Sequence, residues 1–438
     1  MIATNYGKVE GLDMGEYTVY RGIPYAKPPI GERRWKAPER PERWDGILEA
    51  KAFTPRCVQT DYAGDGFDFG KEFYSNPEFK RENSEDCLYL HIWVPNEKGE
   101  GKLPVAFWIH GGAFLGGFAS ELEFDGAAYC KRGVILVSVE YRCNIFGYFA
   151  HPWLTEENPE QISGNYGTLD QIAALTWVYE NIEAFGGNKD NITIFGQSAG
   201  AMSVQTLVST KLTGNMIAKA IMQSGGSYGG GLHRDIPLAE QEGYGMALPK
   251  ILGVKSLEEL REKTTEEVQE AFGLFMGMNM PKAKGLFLTP TMDGSLLEDG
   301  YYDLMDKGEI KDIPYMLGTT KDDILVEPGM VERGEKSVLY KGVLDFSKKL
   351  AELGRKPAYA YYFAHDLPGD NCGAWHSCEL WYMFGTMERC WRPWKEEDYQ
   401  LSEEMLDYWV NFMKTGDPNG ERLKVWRPCE EEKDLMVF

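Results

Sequence analysis

The sequence predicts an α/β protein built on one mostly parallel sheet, and three observations carry that reading. Short, nearly continuous apolar runs recur along the chain, too short for helices and too apolar for strands with one wet face. Helical stretches lie between them, as the crossovers of a sheet covered on both faces require. No Pro- or Ser-rich linker interrupts the alternation, and no repeat at solenoid spacing is present.

Taken in order, Pro104–Ile109 (PVAFWI), Val134–Val139 (VILVSV), Ile192–Phe195 (ITIF) and Ala220–Gln223 (AIMQ) read as buried strands. The stretch Asp170–Glu180 (DQIAALTWVYE) carries its apolar residues at helical spacing. Pro314–Gly318 and Ala358–Phe363 read as two further strands. Residues from about 234 to 312 differ: they are charged and helical, with S/T-x-x-E capping patterns at Ser256/Glu259 and Thr264/Glu267. This segment reads as a helical cap inserted in a single domain spanning residues 1–438.

Composition bounds the function. The 438 residues are 43% apolar and 13% aromatic, enough for a large core and too ordered in pattern for a disordered chain. With 46 basic against 68 acidic side chains the net charge is −22, which argues against nucleic-acid and anionic-membrane partners. Eight scattered cysteines without a C-x-x-C pair indicate neither a disulfide scaffold nor a zinc site. The chain opens without a basic and apolar leader, and no run approaches the length of a spanning helix, so a cytoplasmic location is expected.

Two G-x-S-x-G matches stand in the chain, Gly196–Gly200 around Ser198 and Gly225–Gly229 around Ser227. A nucleophile elbow needs a strand running in and a helix running out, with glycines that let the backbone turn sharply under the serine. Ser198 has ITIF before it and AGAMSVQTLV after it, whereas Ser227 leads into a Gly-rich loop. Ser198 is therefore the candidate nucleophile. His110-Gly111-Gly112-Ala113 follows the first buried strand directly. Its glycines allow backbone N–H groups to approach a developing oxyanion, with the N–H of Ala199 as the other donor.

The base in this chain order follows an acid that follows the serine. His91 lies in a strand-like run, His110 in the donor loop and His151 ahead of the serine, which leaves His233, His365 and His376. His376 stands in a turn-like stretch after the last strand, and His365 directly follows that strand. Asp322 and Asp323 follow the strand ending near Gly318 and supply the candidate acid.

These motifs, with several others, resemble the type B carboxylesterases, the family of the cholinesterases and bacterial para-nitrobenzyl esterases. Tyr20–Pro29 (YRGIPYAKPP), Ser84–Leu90 (SEDCLYL), Gly164-Asn-Tyr-Gly167, Asn181–Gly187 (NIEAFGG) and the stretch from Trp409 to Asn419 carry the likeness almost end to end. The resemblance implies an α/β-hydrolase fold and a serine esterase that needs no metal and no cofactor. It implies Ser198 as nucleophile, His376 as base through the match of His376–Leu380 (HSCEL), and Asp323 as acid through Lys321-Asp-Asp. Gly112, Ala113 and Ala199 would be the oxyanion donors, with Gly111 shaping their loop. Asp323 stands where the family usually has Glu, the following Gly is absent, and Asp322 and Glu327 are fallbacks. Gln197 replaces the usual Glu before the serine. The family's first disulfide would map to Cys57 and Cys87, and Glu85 and Arg142 resemble one of its structural ion pairs.

The expected reaction is hydrolysis of small apolar or aromatic carboxylic esters. Phe114, Trp375, Trp381 and Phe384 stand beside catalytic positions in sequence and are candidates to line the substrate pocket. The partner is a small-molecule ester, and the negative charge suits neutral or cationic ones. The alternatives are a feruloyl or aryl ester hydrolase, a lipase of the same fold, and a non-catalytic binding relative.

Overall fold

The computed structural model describes residues 1–61, 69–97, 99–229, 235–327 and 329–438. His233 and the first residue of the expected cap lie outside the described residues. Ten strands form the main sheet among them: β1 (Leu12–Asp13), β2 (Tyr17–Pro24), β3 (Tyr89–Pro95), β4 (Leu103–Ile109), β5 (Ile135–Val139), β6 (Gly187–Gln197), β7 (Lys219–Gln223), β8 (Tyr315–Thr320), β9 (Tyr359–Phe363) and β10 (Met436–Val437). Their order across the sheet is β10-β9-β8-β7-β6-β4-β5-β3-β2-β1. The seven strands from β10 to β5 run parallel, and β3, β2 and β1 add an antiparallel edge. The fold is α/β with a large mixed sheet, an α/β-hydrolase architecture.

The all-apolar strands are explained by what covers them. Along β4, Val105, Phe107 and Ile109 enter one core with Leu175 and Val178 of α1 (Tyr166–Asn181) and Val204 and Leu207 of α2 (Ala199–Ser209). Ala106 and Trp108, the alternate residues, enter a second core with Met405, Leu406, Trp409 and Phe412. Those four belong to α5 (Glu396–Thr415), whereas α4 (Val338–Glu352) joins the first core through Val343, Phe346 and Leu350. A period of two along each strand thus feeds two apolar layers, so neither face is left polar.

Between residues 235 and 312 the described chain forms Leu238–Gly245, Ala247–Leu252, Leu257–Arg261, α3 (Thr265–Asn279) and Tyr301–Asp306, and contributes no strand to the main sheet. Thr264 and Glu267 form the reciprocal capping box that their spacing suggests. The Ser256 pattern is half of one: Ser256 accepts from the Glu259 N–H, but the Glu259 carboxylate bonds the N–H of Lys255. No described helix is long and apolar enough to cross a membrane.

Two buried ion pairs brace the antiparallel side, and they correct the pairing expected of Glu85 and Arg142. Arg142 grips Asp170 with Nε and Nη2, both at 2.7 Å, and its own N–H donates to the same carboxylate at 3.0 Å. Glu85 instead takes Arg34, with Nε at 2.7 Å. Asp170 lies in the first turns of α1, where its carboxylate reaches both the side chain and the backbone of Arg142. Asp170→Asn is expected to destabilise the fold by about 3–5 kcal/mol, because it leaves a guanidinium buried without its partner. A urea unfolding midpoint unchanged from the parent would refute this.

Candidate active site

Strand order brings the site together before any side chain does. After β4 the chain adds β5 on one side and β6 on the other, so the loops leaving β4 and β6 emerge side by side at their C-terminal ends. That is the crevice in which open α/β sheets place ligands. Ser198 sits where β6 passes into α2, with φ 56° and ψ −125°. A non-glycine residue is strained there, and the surroundings leave it no alternative. A Cβ on Gly196 would lie 2.5 Å from the backbone of Gly200, and one on Gly200 would lie 2.1 Å from the Ile109 carbonyl. The Ser198 N–H donates to the Gln223 carbonyl at 2.8 Å, and the Ser198 carbonyl accepts from Met202 at 3.0 Å. The first bond ties the turn to β7 and the second starts the helix.

The loop after β4 lies against this turn. A Cβ on Gly111 would stand 3.2 Å from the Ser198 Cβ, so only glycine admits the close approach. Gly112 (φ 104°), Ala113 (φ 55°) and Phe114 (φ 61°) follow in left-handed conformations, which turn successive N–H groups to one side. Among the described residues none of these loop contacts takes the N–H of Gly112 or Ala113. Two side chains outside any recognised motif hold the loop. Gln59 accepts from the Gly117 N–H at 2.8 Å and donates to the Gly117 carbonyl at 2.9 Å. Asn144 donates to Leu115 O at 3.1 Å, and its own N–H bonds Phe114 O at 2.6 Å. Nothing in the local sequence signals Gln59, because its partner is 58 residues away.

His376, on the loop after β9, comes to the end of β6, its Nε2 3.2 Å from Nε2 of Gln197, the residue before Ser198. Nδ1 of His376 lies 2.5 Å from Asp323 Oδ1. Asp323 is 3% exposed and also accepts from Thr319 Oγ1 at 2.5 Å, the Thr320 N–H at 3.1 Å and the Ile324 N–H at 2.8 Å. Burial opposes its ionisation, but the neighbouring His376 and these donors outweigh it and hold the carboxyl below the usual range. The two adjacent aspartates divide their work. Asp322 pairs with Trp375 across the loops and accepts from the Ala374 N–H at 2.8 Å, so it anchors the loop that carries His376. Glu327 is exposed.

The other described histidines are engaged elsewhere. His365 bonds Asp398 at 2.8 Å. His91 accepts from the Gly22 N–H, and burial pushes it down to about 3. His110 stacks on Tyr141 at 4.2 Å between ring centroids, and burial pushes it down to about 4. Ser227 is buried beside α2, where its N–H and carbonyl bond the Gln205 side chain.

Of the four aromatic residues named for the pocket, Trp375 precedes His376 and packs edge-on against Phe69 and Phe73 at 5.7 and 5.6 Å. Phe114 follows the donor loop and meets Tyr148 edge-on at 5.1 Å. Trp381 stacks on Phe73 and donates to Glu72 at 2.9 Å. Phe384 sits among Trp108, Phe124, Tyr129 and Phe195 in the second core. Phe114, Trp381 and Phe384 are thus all enclosed in packing, each no more than 1% exposed. Cys57 and Cys87 are both buried free thiols; Cys57 Sγ accepts from the Cys143 N–H at 3.1 Å. Among the described residues, no group of three His, Cys, Asp or Glu side chains is set to hold a metal ion.

Comparison with known proteins gives consistent results. A family model described as "Carboxylesterase family" matches residues 1–337 and 326–437. The chain is 36% identical over 99% of its length to the fumonisin B1 esterase of Sphingopyxis macrogoltabida, covering 85% of that protein. It is 33% identical over its full length to the para-nitrobenzyl esterase of Bacillus subtilis strain 168, covering 94% of it. Among solved structures, a thermophilic PNB esterase superposes with a TM-score of 0.82 at 31% identity, over 97% of this chain and 92% of that one. A carboxylesterase of Geobacillus stearothermophilus gives a TM-score of 0.81 at 30% identity, over 100% and 96%.

Proposed function

The chain belongs to the carboxylesterase family, and within it we propose a hydrolase of small apolar or aromatic carboxylic esters that works through an acyl-enzyme on Ser198. The observation that carries the reading is the His376–Asp323 contact of 2.5 Å beside a serine held at φ 56°.

In the first half-reaction Ser198 Oγ attacks the ester carbonyl while its proton passes to His376 Nε2. The carbonyl oxygen becomes an oxyanion held by the N–H groups of Gly112, Ala113 and Ala199, with Gly111 giving the loop its close approach. The C–O bond to the alcohol breaks, and the alcohol leaves with the proton from His376. Water then attacks the acyl-enzyme, again giving its proton to His376, and the acid departs as that proton returns to Ser198. Asp323 keeps its negative charge throughout: it fixes the proton of neutral His376 on Nδ1 and stabilises the imidazolium. Trp375, next to the base in sequence and 5% exposed, is the aromatic group that would favour a planar or apolar acyl or alcohol part.

The test is a panel of esters and a covalent label. The purified protein is expected to hydrolyse short nitrophenyl and nitrobenzyl esters and to carry a fluorophosphonate label on Ser198. Preference for feruloyl esters or emulsified triglycerides would move it to the aryl-esterase or lipase reading. No hydrolysis together with no label would leave a binding protein.

A further inference from the structure

The donor loop is too rich in glycine to hold its own shape. Gly111, Gly112, Gly116 and Gly117 are four of its seven residues from 111 to 117, and glycine gives up the most backbone freedom on ordering. The loop folds back on itself, with the N–H groups of Leu115 and Gly116 donating to the Gly112 carbonyl at 2.9 and 3.1 Å. A Cβ on Gly112 would stand 2.3 Å from the Gly116 carbonyl oxygen, and one on Gly117 would stand 2.5 Å from the Gly111 oxygen. Gly116 and Gly117 are therefore the wall against which Gly111 and Gly112 lie. Whatever fixes that wall also fixes the N–H groups of Gly112 and Ala113.

Gln59 fixes it from 58 positions away. Its side-chain amide is buried and meets both backbone groups of Gly117, accepting from the N–H at 2.8 Å and donating to the carbonyl at 2.9 Å. Nε2 also donates to the Cys57 carbonyl at 3.0 Å, so both amide hydrogens are used. The backbone beneath is anchored in turn. The Gln59 carbonyl accepts from Asn83 Nδ2 at 2.7 Å and from Gln269 Nε2 of α3 at 3.0 Å. Cys57 pairs with Ser84 in a short parallel ladder. The Val58 carbonyl accepts from Asn144 Nδ2 at 2.7 Å, and the same amide reaches Leu115 O. Residues 57–59 are thus a template laid along the loop.

We infer that Gln59 is a positioning residue for the oxyanion hole: its amide, paired with both backbone groups of Gly117, holds the Gly112 and Ala113 N–H groups where the carbonyl oxygen of a bound ester gains its charge. The inference rests on the triad and donor-loop reading above. Preorganised N–H groups are worth most once the oxygen is charged, so a displaced loop costs the transition state more than it costs the bound ester.

The experiment compares the parent with Gln59→Met, which keeps the length of the side chain without its hydrogen bonds, and with Gln59→Asn, whose amide stops one methylene short of Gly117. Rates for a short nitrophenyl ester are divided by the number of sites that a fluorophosphonate titrates at completion, so unfolded protein does not count. Both variants are expected to lose about 10–100-fold in kcat with KM within about twofold of the parent's. An aryl trifluoromethyl ketone, which adds to Ser198 as a charged hemiketal, weakens as an inhibitor by the same factor as kcat/KM, whereas the matching unreactive ether inhibits as before. Gln269→Leu removes only the cap's bond to the Gln59 carbonyl and is expected to keep the parent's kcat, because Asn83 still holds that carbonyl. A parent-like kcat per titrated site in Gln59→Met, whatever its unfolding midpoint, would make Gln59 a packing residue, as would equal weakening of ketone and ether. The same loss in Gln269→Leu would take the role from the amide. Failure of the triad reading looks different: the parent itself would then carry no fluorophosphonate on Ser198.

Discussion

Ser198→Ala is expected to lower kcat for a short nitrophenyl ester on the order of 10⁶-fold and to abolish labelling by a fluorophosphonate. The size follows from the removal of the Oγ on which the proposed acyl-enzyme forms; donors and binding alone keep a residue of rate over water. The fold has no reason to change. Alanine at φ 56° carries the same backbone strain as serine, and the turn is held by backbone bonds to Gln223 and Met202 that the substitution leaves in place. The unfolding midpoint and KM therefore separate lost chemistry from lost structure. Retained turnover, or a label on Ser227, would overturn the assignment. Ser227→Ala is expected to leave the label on Ser198.

Asp323→Asn is expected to cost about 10⁴-fold in kcat with the fold intact. An asparagine amide offers Nδ1 a donor as readily as an acceptor, so the ring is no longer held with its proton away from Ser198. It also withdraws the charge that stabilises the imidazolium. Asp322→Asn should cost far less in rate, since Asp322 meets the backbone of the His376 loop and not the ring. The reverse ranking of the two variants would place the acid one residue earlier. The same carboxylate links to stability. Its folded pKa lies below the ordinary value, so its contribution is complete above the unfolded carboxylate pKa and is lost as pH falls through the folded one. Parent and Asp323→Asn stabilities measured by urea unfolding should therefore converge in acid; a gap that stays constant down to the acid limit would exclude this linkage.

Much of the sheet was legible because it is made of strands buried on both faces. The run PVAFWI needs no partner to be recognised, and β4 spans Leu103–Ile109. The expected strand at Ile192–Phe195 was too short: β6 begins at Gly187, because residues 187–191 are mostly polar and half-exposed and reach the ladder through a bulge. The antiparallel edge was harder to read. β2 (YTVYRGIP) contains Gly and Pro, and its pairing with β3 lies some 70 residues away in sequence. The elbow was legible for a local reason, since strand, glycines, serine and helix are contiguous.

What the sequence determined by itself was the chemistry on offer: a serine in a strand-to-helix turn, a His-Gly-Gly loop after a strand, and a short choice of histidines and acids. Those features are local, and backbone geometry is decided over a few residues. The tertiary structure alone decided the partners. It set His376 against Asp323 across 53 positions, turned Asp322 to the backbone, gave Arg142 to Asp170 and Glu85 to Arg34, and laid the Gln197 amide on the His376 ring. The physical reason is range. A hydrogen bond is made or lost within a few tenths of an ångström, and separations of that size are set by how whole strands and loops pack, not by the residues next to either partner in the chain.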